Sequence, residues 1–200
     1  MSSVSDYARL APDVIAAHAT LSDAEIFHPV AAFLPKVPST LLDIGAGIGR
    51  TAAWFASQGV QVTALEPVTE LRAAGQARFD TLPFRWVDDE LPNLNHTTGL
   101  KEQFDTVILC GVWHLLPPEQ RDTAMQNIRH VTAPRGRVLM SLRHGPAPDG
   151  ITTYPVDVRS TVKCARSYGL KAEFQTTARS VQQTNRTRGV TWTWLVLNKT

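Results

Sequence analysis

Residues 40–67 read TLLDIGAGIGRTAAWFASQGVQVTALEP. Two strand-like apolar runs, STLLDI and VQVTALE, flank a glycine-spaced turn and the helix-like stretch GRTAAWFASQG, closed by Gly59. Strand, tight turn, helix and second strand make a βαβ unit, whose crossover is right-handed. Asp43 stands before glycines 45, 47 and 49, and Glu66 ends the second run. Glycines at such a turn admit positive φ and let backbone N–H groups approach a ligand without a Cβ in the way. In an open α/β sheet that ligand sits beyond the carboxyl ends of the strands, where this loop falls.

Outward from this unit the alternation continues. VTELRAAGQARF reads as a helix, PFRWV as a short strand, and FDTVILC as a strand apolar through its centre, as expected when both faces are covered. PPEQRDTAMQNIRHV is a helix with proline at its start, and GRVLMSLR a strand. DVRSTVKCARSYGL is a further helix, after which KAEFQTTARS and VTWTWLVLN read as strands joined only by VQQTNRTRG. That polar link is too short for a crossover helix, so these two strands should pair antiparallel. The pattern predicts a doubly wound α/β sandwich of three layers. Before it, residues 6–34 carry apolar residues at helical spacing, with Ser22 as N-cap and Glu25 at the capping-box position, and Pro35 and Pro38 punctuate the chain. The expected organisation is a helical lid over residues 1–36 and one compact domain over 37–200. The polar stretch DDELPNLNHTTGLKEQ is the longest expected loop.

The 200 residues suit a single domain, and 43% hydrophobic with 19% charged is ordinary globular composition. A net charge of +2 offers no electrostatic case for nucleic acid or an anionic membrane. Cys110 and Cys164, the only cysteines, are far apart and in no metal-ligand spacing, so no metal site is expected. Residues 1–10 hold no apolar leader core, and no apolar run approaches the roughly 18 residues of a membrane span. A reducing, cytoplasmic setting is the expectation.

The charge of the loop bears on its ligand. The dinucleotide fingerprint places a third glycine where this chain has Arg50. Asp43 would repel a pyrophosphate but suits a ligand carrying an ammonium or sulfonium group. Glu66 at the end of the second strand can accept two hydrogen bonds from a ribose diol. With the antiparallel final pair, this pattern resembles the class I S-adenosylmethionine-dependent methyltransferases, from about residue 40 to the last residue. The resemblance implies a Rossmann-like, mostly parallel seven-stranded sheet of order 3-2-1-4-5-7-6. It implies S-adenosyl-L-methionine as cofactor and S-adenosyl-L-homocysteine as its product. Asp43, Gly45, Ala46 and Gly47 would then surround the methionine moiety, Glu66 the ribose, and Pro67 or Val68 the adenine. An acid after the third strand would meet the adenine amino group, with Asp88 ahead of Asp89 and Trp86 close by.

After the fourth strand, CGVWHLLPPEQR matches the hydrophobe-His-hydrophobe triplet that precedes a proline in small-molecule members, through Trp113, His114 and Leu115. Cys110 to His114 are expected to line the site, with His114 placed to take a proton. Arg143 and His144 leave the sheet before a Gly/Pro-rich loop, where an arginine suits an anionic acceptor. Tyr7 and Arg9 of the lid are candidates for the cofactor carboxylate, and His28 for the pocket, each against plain packing or exposure. Trp54, Trp192 and Trp194 are expected in the core, and Arg179, Arg186 and Arg188 on a solvated turn. Against nucleic-acid substrates, LCGVWHLLPP lacks the Asn/Asp-Pro-Pro-aromatic motif, and no cysteine follows a proline. A small-molecule acceptor with an oxygen or nitrogen nucleophile is expected. Two alternatives stay open: a cofactor-binding module without catalysis, and a nicotinamide-dependent oxidoreductase. The second lacks its Tyr-x-x-x-Lys pair, since Tyr154 is followed four residues on by Val158.

Overall fold

A computed structural model describes residues 3–100 and 102–200; Met1 and Ser2 of the expected lid, and Lys101 of the long polar loop, lie outside the described residues. The amino-terminal periodicity resolves into three short helices, α1 (Ser3–Arg9), α2 (Ala11–His18) and α3 (Asp23–Phe27), and then a 3-10 stretch His28–Phe33. Pro12 and Pro29 each stand in the first turn of a new segment, where a missing N–H costs nothing. The Ser22 hydroxyl caps α3 by accepting the Glu25 N–H at 3.4 Å.

The strands are β1 (Thr40–Ile44), β2 (Gln61–Leu65), β3 (Arg85–Val87), β4 (Phe104–Leu109), β5 (Thr132–His144), β6 (Leu170–Arg179) and β7 (Thr191–Lys199). They form one sheet of order β3-β2-β1-β4-β5-β7-β6. β1 to β5 pair in parallel, while β7 runs antiparallel to both β5 and β6. Helices α4 (Arg50–Ala56), α5 (Thr69–Arg78), α6 (Asn95–Gly99), α7 (Arg121–Val131), α8 (Val158–Ser167) and α9 (Gln183–Thr187) complete the chain. Two of these fall where the sequence suggested only loop. α6 turns within the long polar segment, tied down by Thr97, and α9 closes the β6–β7 link without spanning it.

Period-two alternation splits the core across the sheet. Leu42, Val107, Leu109 and Met140 face α7 and Met125, whereas Leu41, Ile108, Leu139 and Val196 face α3 and α4 through Phe27 and Phe55. A third cluster joins Ala11 of α2 to Ile48 of the glycine turn and Leu71 of α5. It seats the amino-terminal helices above the carboxyl ends of the strands.

Candidate active site

β1 ends at Ile44 and the chain turns through Gly45 at φ +71° and Gly47 at φ +59°. A Cβ at Gly45 would meet Val112 Cγ2 at 2.6 Å, so the loop can close on the segment after β4 only with glycine there. At Gly47 the nearest neighbour is His18 Nδ1, 3.6 Å from where a Cβ would stand, which brings α2 over the loop. The Glu66 carboxylate accepts the Gly47 N–H at 2.7 Å and the Val68 N–H at 2.9 Å. Burial raises its pKa, and those two bonds pull it back. Asp43 lies behind the loop, 2% exposed, with Oδ2 unpartnered. Burial pushes its pKa up to about 7, with Asp23 and Glu66 adding repulsion and Arg50 relieving part of it. Arg50 is ion-paired with Asp23, which also accepts the Thr51 hydroxyl at 2.7 Å, but its Nε has no partner.

Two cavities open beside this loop. The smaller, about 120 Å³, is walled by Gly45, Gly47, Glu66, Pro67, Val68 and Asp89. The larger, about 500 Å³, is walled by Arg50, His114, Arg143, Arg179, Trp192 and Trp194, among others. Tyr7, His18, Cys110 and Gly111 belong to both walls, so the two spaces adjoin between α1–α2 above and the end of β4 below.

The expected residues distribute unevenly around these spaces. Ala46 supports the loop through its N–H to Leu65 O at 2.8 Å and, like Asp43, lies on neither wall. Asp88 is exposed and paired with Arg72 at 2.8 Å, away from both cavities. Asp89 instead lines the smaller one, its carboxylate accepting the Thr97 N–H at 2.8 Å and hydroxyl at 2.7 Å. The Cys110 thiol is pushed up to about 12, chiefly by burial, and stays protonated. Tyr7 is likewise pushed up to about 12 by burial and by Glu66, with Arg143 opposing. His114 is 4% exposed with Nδ1 unpartnered, and burial, then Arg143 and Arg121, lower its pKa to about 3. It is a neutral imidazole.

Arg143 is 6% exposed and stands over the Trp192 ring at 5.6 Å. His144 faces away, its Nε2 paired with Thr193 Oγ1 at 2.9 Å, and lies on neither wall. Arg9 donates to Gly150 O at 2.7 Å, and His28 is exposed and off both walls. Trp54 and Trp194 pack around Phe27 as expected, Trp194 also reaching the larger cavity, whereas Trp192 departs from the core to line that cavity. Arg179 and Arg188 also reach that wall, whereas Arg186 binds back to Ser180 O at 3.0 Å. The sequence reading missed His18 and gave Arg50 no role. A signal for His18 existed: Leu10, Val14, Ala17, His18 and Leu21 share one helical face, and all line the larger cavity.

Residues 42–138 match a family model described as a methyltransferase domain. An uncharacterised methyltransferase of Mycobacterium tuberculosis is 26% identical over 106 residues, 52% of this chain and 40% of that protein. The match thus spans well under half of that relative's own length. Among solved structures, the 1,6-didemethyltoxoflavin-N1-methyltransferase of Burkholderia thailandensis, with bound 1,6-didemethyltoxoflavin and S-adenosylhomocysteine, aligns at a TM-score of 0.71. That alignment covers 98% of this chain and 88% of the other at 21% identity. A TehB-like SAM-dependent methyltransferase from Corynebacterium glutamicum aligns at 0.67, covering 98% of each chain at 20% identity.

Proposed function

This chain carries a class I S-adenosylmethionine-dependent methyltransferase domain, and from that premise we propose that it methylates an oxygen or nitrogen of a small, anionic molecule. The observation that carries the reading is the adjoining pair of cavities, one built on the glycine loop and Glu66, the other on His114 and Arg143. In the smaller cavity the residues fit the cofactor. Glu66 offers a carboxylate at the end of β2, Gly45 and Gly47 leave a backbone cradle, and Asp43, with Oδ2 unpartnered, stands behind it as a carboxyl that a cationic ligand would ionise. We assign Pro67 and Val68 to the adenine side together with Asp89, in preference to Asp88. Cys110 and Tyr7 close the space near the second cavity.

When bound, the cofactor would supply a sulfonium methyl to the acceptor's lone pair, the C–S electron pair staying with sulfur and the proton of the O–H or N–H leaving through its hydrogen bond to His114. The chain's own residues orient the acceptor and keep water out. His114, a neutral imidazole on the wall of the larger cavity, accepts the hydrogen bond of the attacking O–H or N–H through a ring nitrogen and fixes its lone-pair direction. Arg143 holds the acceptor's negative charge. His144, turned to Thr193, is a positioning residue at the end of β5. Residues 1–36 act as a lid on the domain of residues 37–200. Among the described residues no helix is long and apolar enough to cross a membrane. A cytoplasmic setting is part of this proposal, in keeping with the two free cysteines.

Calorimetric titration with S-adenosylmethionine, S-adenosylhomocysteine and NADH tests the reading. The two S-adenosyl compounds should bind and NADH should not. Glu66→Ala should weaken both by about tenfold or more, roughly 1.4 kcal/mol. Binding of NADH alone would overturn methyl transfer, and silence from all three would leave a module without this cofactor.

A further inference from the structure

Arg143 is buried, and among the described residues no carboxylate forms an ion pair with it. Its Nη2 donates only to neutral oxygens, Pro146 O at 2.8 Å and Asn185 Oδ1 at 3.3 Å, and its Nε has no partner. The other cations of that wall are accounted for. Arg50 is paired with Asp23, Arg188 with Asp149 at 3.0 Å, and Arg179 is exposed to water. A buried, uncompensated guanidinium is costly unless a ligand completes it. The cavity wall is mixed: Trp192 lies beneath the guanidinium, with Trp194, Leu21, Ile26 and Ile151 as the apolar part, beside Ser141 and Asn185 and the carboxylates Asp13 and Glu25. The Trp192 ring also meets His114 edge-on, with centroids 5.9 Å apart, so anchor, ring platform and imidazole are consecutive neighbours.

We propose that the larger cavity takes a planar aromatic carboxylate, its carboxylate on Arg143, its ring among the tryptophans, and a neighbouring hydroxyl or amine at His114. The inference rests on the methyltransferase reading of the same site and narrows its substrate class. A single guanidinium edge matches the two oxygens of a carboxylate. Flat rings gain from offset stacking on indole beyond the area they bury. The arrangement also couples the anchor to the imidazole. Arg143 is the largest charge holding down the proton affinity of His114, and a carboxylate on Arg143 cancels it. His114 therefore becomes a better acceptor when the correct ligand arrives.

The test titrates the protein, saturated with S-adenosylhomocysteine, with 2-hydroxybenzoate, 2-hydroxybenzamide and cyclohexanecarboxylate, followed by calorimetry and tryptophan fluorescence. 2-Hydroxybenzoate should bind about tenfold or more tightly than either of the others, the scale of one charge-assisted hydrogen bond. Arg143→Gln should erase the acid–amide difference and leave S-adenosylhomocysteine affinity as it was. The ligand comparison on the unaltered protein decides even if that variant does not fold. Acid and amide binding alike, the saturated acid matching the aromatic one, or no binding of 2-hydroxybenzoate beside intact S-adenosylhomocysteine binding would each overturn the inference. Failure of S-adenosylhomocysteine itself to bind would instead strike at the methyltransferase reading.

Discussion

Asp43 carries the most consequential charge in the molecule, because it is ionisable, buried and left with one oxygen unpartnered. Its pKa moves from 3.8 up to about 7 on folding. Between those values the folded chain keeps a proton that the unfolded chain has released, so this group makes stability fall as pH rises through the window. A cationic ligand at the loop favours the ionised form. Affinity for S-adenosylmethionine should therefore climb by up to tenfold per pH unit towards pH 7 and flatten above it. Asp43→Asn should raise the melting temperature of the ligand-free protein at pH 8 by a few degrees, about 1–2 kcal/mol, and flatten the affinity profile. Titrations from pH 6 to 8 would read this, and an unchanged slope in the variant would refute it. At this scale the sequence was informative where the motif is local. Asp43, the glycines and Glu66 lie within one turn-and-strand unit, and they do meet around one loop. Between Asp88 and Asp89 the chain alone had no discriminator, since the choice depends on which of two adjacent side chains Thr97 and Arg72 capture. His18 shares a helical face with Leu10, Val14 and Leu21, but which surface that face covers depends on packing across the molecule.

Side chains of helix α1 hold it to the β5–α8 connection. The Asp6 carboxylate accepts the Thr152 N–H at 2.9 Å and its hydroxyl at 2.7 Å, and Arg9 donates to Gly150 O at 2.7 Å. The Thr152 bonds hold the Asp6 carboxyl below the usual carboxylate range, the folded state favouring its ionised form. Asp6→Ala should loosen α1 without unfolding the sheet. Hydrogen exchange in residues 3–9 should rise about tenfold or more, while the main melting transition moves by no more than about 2 °C. An α1 that stays fully protected would rule out the latch. The partners are separated by 146 positions, so the contact could not be read in advance. Helix breaks were equally hidden, because apolar periodicity runs on through Pro12 and Pro29 as if the segment were continuous. Strands were legible for the opposite reason. Covered on both faces, β1 and β4 carry the apolar runs Leu41–Leu42 and Val107–Leu109, and the short β6–β7 link enforces antiparallel return.

Across the whole molecule the architecture follows from alternation along the chain, and sheet order and handedness leave little freedom once that alternation is recognised. Among the contacts that fasten the amino-terminal helices to it is an aromatic plug in α3. Phe27 is fully buried, with ring centroids 5.8 Å from Trp54, 5.7 Å from Phe55 and 5.3 Å from Trp194. Phe27→Ala should cost about 3–5 kcal/mol, read as a lower urea midpoint at unchanged slope; a loss under 1 kcal/mol would mean that α3 is not held by this packing. Tyr7 and His18 are common to both cavities. Thermodynamic reciprocity then binds the two occupants to each other: whatever help one guest lends the other in settling these helices is returned in equal measure. If the proposed methyl transfer and lid hold, a spent donor beneath these helices would wait for the same opening as the methylated product, and departure rather than bond-making would keep the clock of turnover.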